Sequence, residues 1–192
     1  MTRGDAADPA ASGLRLRELY DVYFDFVWRS LRRLGVQDSM MDDAAQDVYM
    51  VVHRRLPEFK AQAQIKTWLF SIVLRVAQNY RRSARRRSAH LTDVSTGPIE
   101  TAAVPESQGP LELAARQEAA VLLHKLLARM DDQKRSLLIL VELEEMTVVQ
   151  AAEALNINVN TAYSRLRAAR LAFEEAVLQL RNDDRGERRT SE

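Results

Sequence analysis

The sequence predicts an all-α protein of two small helical domains joined by an extended linker, on three observations. Ala, Leu and Arg, residues that lose little on entering a helix, dominate a chain of 192 residues with only six Gly and five Pro. Apolar residues recur at three- and four-residue spacing in several separate runs. Between two groups of such runs, at about 91–110, the pattern collapses into Ser, Thr, Ala, two glycines and three prolines, Pro98, Pro105 and Pro110.

Residues 1–13, rich in Gly, Asp, Ala, Pro and Ser, read as a disordered lead. Leu16, Leu19, Tyr20, Tyr23, Val27, Leu31 and Leu34 then mark an amphipathic helix that Gly35 stops. Ser39 is placed to cap a second helix, with Asp42 and Asp43 in its first turn, where carboxylates complement the helix dipole. That helix buries Met41, Ala44, Val48 and either Val51 or Val52, and ends before Pro57. A third begins near Ile65 with the stripe Ile65, Trp68, Leu69, Ile72, Val73, Val76 and Tyr80, while Arg75, Asn79, Arg82 and Arg86 recur on another face. The low-complexity stretch that follows carries Asp93, Glu100 and Glu106 and no cation, and reads as the linker, 91–111. About twenty structureless residues inside one compact domain are unusual, which favours two domains. Helices are expected at about 111–129, 134–145, 147–155 and 159–180, with a disordered tail from Asn182.

The net charge is only +1, so charge segregation carries the information. Phe59 to Thr92 contains eight Lys/Arg and no Asp or Glu. Such a segment neutralises phosphates, and the interleaved Phe59, Trp68, Phe70 and Tyr80 are aromatic planes on which unpaired bases stack. A place in the core, on the apolar stripe, is the alternative for Trp68 and Tyr80, and for Trp68 the two fit equally well. The absence of cysteine excludes disulfides, thiolate metal sites and Cys nucleophiles. No signal-peptide pattern and no run of eighteen apolar residues occurs, so a soluble cytoplasmic protein without a membrane span is expected. His53, His90 and His124 are scattered with no nucleophile–base pair, so no enzyme and no cofactor is expected. Asp38, Asp42, Asp43 and Asp47 lack a facing acidic motif, which disfavours a Mg²⁺ site. They fit a docking patch for a basic protein.

From Ala151 to Arg170 the chain reads as a helix-turn-helix. Thr147 caps a short helix of Val148, Ala151, Ala152 and Leu155; Asn156 takes the turn position that needs a left-handed residue; Ile157 packs beneath. The next helix buries Val159, Ala162, Leu166, Ala169 and Phe173. It turns Asn160, Thr161, Tyr163, Ser164, Arg167 and Ala168 outward, short polar groups and a cation suited to a major groove. Arg165 and Arg170 add to a stretch with no acid between Val159 and Ala172. A plain αα-hairpin with a solvated face is the alternative.

D-D-A-A-Q-D-V-Y-M-V-V-H-R-R-L-P-E-F (42–59), K-T-W-L-F-S-I-V-L-R-V-A-Q-N-Y-R-R (66–82) and N-T-A-Y-S-R-L-R-A-A-R (160–170) together resemble the extracytoplasmic-function sigma factors of bacterial RNA polymerase, a group of the sigma-70 family. The resemblance covers about residues 14–180. It implies a σ2-like domain at 14–90 and a σ4-like helix-turn-helix domain at 112–181, followed by the tail 182–192. It further implies that Asp43, Gln46 and Asp47 dock on core RNA polymerase, whose β′ and β subunits are the expected partners. Phe59, Lys60, Lys66, Trp68, Arg75, Asn79, Tyr80, Arg82 and Arg86 would serve the −10 element of promoter DNA. Asn160, Thr161, Tyr163, Ser164, Arg165 and Arg167 would serve the −35 element, and an anti-sigma factor is a further implied partner. The sequence departs from the family pattern at Asn156 (usually Gly), Asn158 (usually Pro) and Tyr163 (commonly Lys), and the 60–64 loop lacks the usual Gly and Ser. The alternative reading is an ordinary helix-turn-helix regulator with an N-terminal partner-binding domain.

Overall fold

A computed structural model describes residues 16–59, 64–88 and 110–190. All regular structure among them is helical: α1 (Leu16–Arg33), α2 (Met41–Arg55), α3 (Ile65–Ser88), α4 (Pro110–Ala128), α5 (Asp132–Leu138), α6 (Val148–Leu155) and α7 (Val159–Thr190). Short 3₁₀ turns at Asp38–Met40 and Leu56–Glu58 bracket α2, and a π turn, Ile139–Leu143, extends α5. The helices form two compact units, α1 to α3 and α4 to α7.

In the first unit, α2 packs along α3. Met41, Ala44, Val48 and Val52 of α2 are buried with Leu69, Ile72, Val73 and Val76 of α3, at the three- and four-residue spacing that puts them on one face of each helix. Val52, not Val51, takes the core position. α1 meets α2 through Tyr20 and Tyr49, ring centroids 4.8 Å apart, and α3 through Phe26 and Phe70 at 6.4 Å. Phe70 is fully buried, which removes it from the aromatic planes offered to bases. Tyr20 of the expected core stripe is exposed.

Ser39 is not the cap of α2. The chain closes the 3₁₀ turn first, with Met40 N–H donating to Gln37 O at 2.9 Å and Met41 N–H to Asp38 O. The turn's own backbone thus takes over the cap, and no side chain is used.

In the second unit, α7 packs on α4, α5 and α6 around Leu127, Leu137, Ile139, Leu140, Ala151, Ala162 and Ala169. Helix α5 begins at Asp132 rather than near 134, because Asp131 caps it: its Oδ1 accepts from Gln133 N and Lys134 N, both at 3.0 Å. Arg135, 4% exposed, terminates α4 from across the turn. Its Nε donates to Leu127 O at 2.6 Å, and its Nη2 donates to Ala128 O at 3.1 Å and Met130 O at 2.8 Å. A planar cation thereby satisfies carbonyls that a helix end leaves without partners, and its charge complements the negative end of the dipole.

Two further element ends differ from expectation. α4 starts at Pro110, taking in the last two positions of the expected linker, since proline's fixed φ and missing N–H suit a first helical turn. α7 runs to Thr190, past the expected end near 180 and into the tail, because it contains no proline and one glycine, too little to break a helix. The rest of the linker and the lead fall outside the described residues.

Candidate nucleic-acid interface

The α3 surface is set by helical arithmetic. Successive residues turn by about 100°, so Trp68, Arg75, Asn79, Arg82 and Arg86 fall along one strip. The four polar residues are exposed and Trp68 is half-buried. Phe59 stands at the strip's end with its ring centroid 5.0 Å from that of Trp68, planes tilted by 52°. Trp68 N–H donates to Gln64 O at 3.1 Å, tying the start of α3 to the preceding backbone. An aromatic pair leading into a carboxylate-free cationic strip is suited to an anionic strand with unstacked bases.

Two of the expected residues point elsewhere. Lys66 lies about half a turn away from Arg75, with its Nζ 6.0 Å from the centroid of the Phe26 ring. Tyr80 turns toward α2, where its hydroxyl donates to Asp47 Oδ2 at 2.8 Å. Burial pushes the Tyr80 phenol up to about 12, reinforced by that hydrogen bond and by the charges of Asp47 and Asp43. Lys60 lies outside the described residues.

The α2 residues part company in the same way. Asp43, Gln46 and Asp47 are all exposed, but Asp47 faces α3 whereas Gln46 faces α1. On that second side Gln46 joins Asp42, His53 and Arg54 around a groove of about 530 Å³. Its walls include Tyr20, Phe24, Trp28, Tyr49 and Met50, and Tyr20–Phe24 and Phe24–Trp28 form a ring ladder at 5.0 and 5.6 Å. Tyr49 lies beneath, its hydroxyl buried without a hydrogen-bond partner among the described residues. Burial raises that phenol, as do Tyr20 and Asp25.

The helix-turn-helix is built by its caps. Thr147 Oγ1 accepts from Gln150 N at 3.2 Å, and Gln150 Oε1 accepts from Thr147 N at 2.8 Å, a reciprocal capping box. Asn156 closes α6 at φ 52°, ψ 49°, the left-handed conformation in which Asn substitutes for Gly. Asn158 then starts α7: its Oδ1 accepts from Asn160 N at 2.8 Å and its carbonyl from Ala162 N at 2.9 Å.

Asn160, Tyr163, Ser164 and Arg167 share one exposed face of α7; Thr161 and Arg165 are half-buried on its flank. Ser164 spends its proton on Thr161 O at 3.0 Å, which leaves its oxygen as an acceptor toward the exterior. On the opposite flank Arg170 is committed to Glu142 of the π turn, with Nη2 at 2.7 Å and Nε at 2.8 Å. That pairing takes one of the three arginines out of the reading surface.

Sequence reasoning missed the Asn158 cap, although Asn just before a periodic run is itself a start signal. It also missed the aromatic groove, which needs α1 and α2 side by side, and the Tyr80–Asp47 bond, which spans 33 residues.

Comparison with known proteins accounts for both units. The Sigma-70 region 2 family model matches residues 19–87, and the Sigma-70, region 4 model matches residues 120–173. The chain is 26% identical over 171 residues to RNA polymerase sigma factor YlaC of Bacillus subtilis (strain 168), covering 88% of this chain and 96% of that one. It is 28% identical over 172 residues to ECF RNA polymerase sigma factor SigM of Mycobacterium tuberculosis (strain H37Rv), covering 88% and 82%. The sigma factor RpoE, solved in complex with the anti-sigma factor NepR from Bartonella quintana, superposes with a TM-score of 0.58 at 20% identity, over 84% of this chain and 95% of that one. With region 2 carrying the cationic strip, region 4 carrying the helix-turn-helix, and both in the order of these relatives, the chain belongs to the sigma-70 family as a sigma factor of the extracytoplasmic-function type.

Proposed function

We propose that this protein binds bacterial core RNA polymerase and directs it to promoters, reading a −35 element through α7 and capturing the −10 element through α3 as the duplex opens. The observation that carries this reading is the pairing of two unlike DNA surfaces in one chain. α7 presents Asn160, Tyr163, Ser164 and Arg167 as a narrow polar face for a duplex groove. α3 presents Trp68 with Arg75, Asn79, Arg82 and Arg86, suited to strands whose bases are exposed. A regulator that only recognises duplex DNA needs the first and has no use for the second. Thr161 and Arg165 support the edge of the −35 surface by anchoring phosphates. Phe59 stands at the end of the −10 strip, against Trp68.

Docking on the polymerase falls to α2, through Asp43, Gln46 and Asp47, the two aspartates supplying negative charge that suits a basic partner surface. Work on polymerase places the protein in the cytoplasm, and no described helix is long and apolar enough to cross a membrane. The protein has no reaction of its own; the chemistry is that of the polymerase. An anti-sigma factor that covers these faces would silence it, as the pairing of RpoE with NepR suggests.

The test is transcription in vitro with purified bacterial core polymerase on a library of genomic promoter fragments, with and without this protein. Discrete new start sites sharing two upstream elements establish the function. Binding of duplex DNA without polymerase, and no transcripts, would replace it with that of an ordinary regulator.

A further inference from the structure

The two surfaces assigned on region 2 meet at one hydrogen bond, Tyr80 Oη–H to Asp47 Oδ2 at 2.8 Å. Asp47 was offered for protein docking and Tyr80 for the promoter strand, so each is engaged by the residue meant for the other task. The three α2 docking candidates do not share a direction: Gln46 lies on the groove beside α1, while Asp47 looks to α3. Its carboxylate is exposed, and an ionised acceptor makes the phenol's bond stronger than a neutral pair would. Asp43 stands one turn earlier on the same flank, close enough for its charge to act on the phenol.

Tyr80 sits about 140° around α3 from Arg75, on the arc of buried Leu69, Val73 and Val76 that packs against α2 rather than on the cationic strip. A half-buried ring there has two side-chain torsions and a choice of orientations. The bond to Asp47 selects one of them, keeping the ring against the α2 side.

We propose that Asp47 is a positioning residue for α3, its bond to Tyr80 fixing the angle at which α3 presents the cationic strip, so that the helix presented to the polymerase also sets the surface that receives the opened strand. The proposal rests on the function given above and adds the link between its two tasks. Asp47 then acts on promoter opening through Tyr80, separately from any contribution to polymerase affinity.

The experiment uses the full chain with purified core polymerase and a promoter recovered from the transcription screen. Core affinity is measured by fluorescence competition. Open-complex formation is followed at saturating core on promoter DNA carrying 2-aminopurine in the melted region. The variants are Asp47→Ala, Asp47→Asn, Tyr80→Phe and the double variant Asp47→Ala/Tyr80→Phe. Loss of one hydrogen bond predicts that Asp47→Ala and Tyr80→Phe each slow opening about three- to tenfold, and that the double variant is no slower than either. Asp47→Asn keeps an acceptor oxygen and recovers most of the opening rate, whatever its loss of charge does to core affinity.

Losses that multiply in the double variant would overturn the proposal, as would an Asp47→Ala protein impaired only in core affinity. A lowered thermal midpoint with an unchanged opening rate would likewise reduce the bond to a scaffold contact. No transcripts from the unaltered protein would remove the proposed function and this link together. Transcripts from the unaltered protein with multiplying losses would remove the link alone.

Discussion

Replacing Arg135 by Met tests how the second unit is held together. The substitution keeps an unbranched apolar stem and deletes the guanidinium that donates to Leu127 O, Ala128 O and Met130 O. Each bond contributes on the order of 1–1.5 kcal/mol net, and the carbonyls left behind in a buried site add their own desolvation cost. The expected loss is therefore about 3–5 kcal/mol, a large share of the roughly 5–15 kcal/mol that stabilises a domain. At about 4–8 °C per kcal/mol for a unit this small, the melting midpoint drops by more than about 12 °C. Arg135→Lys keeps the charge without the planar fork and falls between the two. The assay separates the units, because both tryptophans of the chain, Trp28 and Trp68, stand in α1 and α3. Far-UV circular dichroism follows all helices, while tryptophan fluorescence follows the first unit alone. A circular-dichroism midpoint within about 5 °C of the unaltered protein would refute the account of Arg135 as the terminator of α4.

Other substitutions probe the caps and the two DNA surfaces. Asp131 tests acid stability: burial alone would raise its carboxyl, but backbone N–H bonds from Lys134 and Gln133 and the Lys134 ammonium hold it below the ordinary 3.8. A depressed folded value means its stabilisation is complete above that pH and is lost as pH falls through the folded value. Asp131→Ala should thus cost about 1 kcal/mol near neutral pH and progressively less in acid, read from urea midpoints across pH. Asn156→Val forces a β-branched residue into the left-handed turn and should cost about 1–2 kcal/mol, whereas Asn156→Gly stays close to neutral. Arg82→Ala with Arg86→Ala should leave core affinity intact and impair open-complex formation; lost core binding would contradict the division of labour between α2 and α3. Arg167→Ala in the holoenzyme should flatten the salt dependence of promoter binding by about one unit of log–log slope if Arg167 contacts a phosphate. An unchanged slope with altered −35 preference would make it a base reader instead.

Periodicity alone made the helices legible, because a stripe at three- and four-residue spacing needs no knowledge of its partner. Asn156 was legible for a similar reason: the left-handed backbone is a local demand on a single residue. Phe70 was misread because a helix packed by both α1 and α2 buries more than one stripe, so an aromatic off the main stripe is still core. Ser39 was misread because a 3₁₀ turn meets the same N–H groups with backbone alone, and the sequence signals of the two solutions overlap. Lys66 counts as one more cation in a charge tally, yet the helical phase sets it apart from Arg75, Asn79, Arg82 and Arg86. Arg135, Arg170 and Asp47 were beyond reach for a different reason. Their partners lie on other helices, and nothing in a linear sequence separates a charge spent on its own fold from one kept for a ligand.

The unbroken run of α7 has a mechanical side. Its 32 residues make a rod of about 48 Å at 1.5 Å per residue. Asn160 and Arg167 sit in its first third, and no proline interrupts it. The near half is clamped by α4, α5 and α6 and by the Arg170–Glu142 pair, so the reading face is held at a fixed angle to the unit while the same rod carries on beyond it.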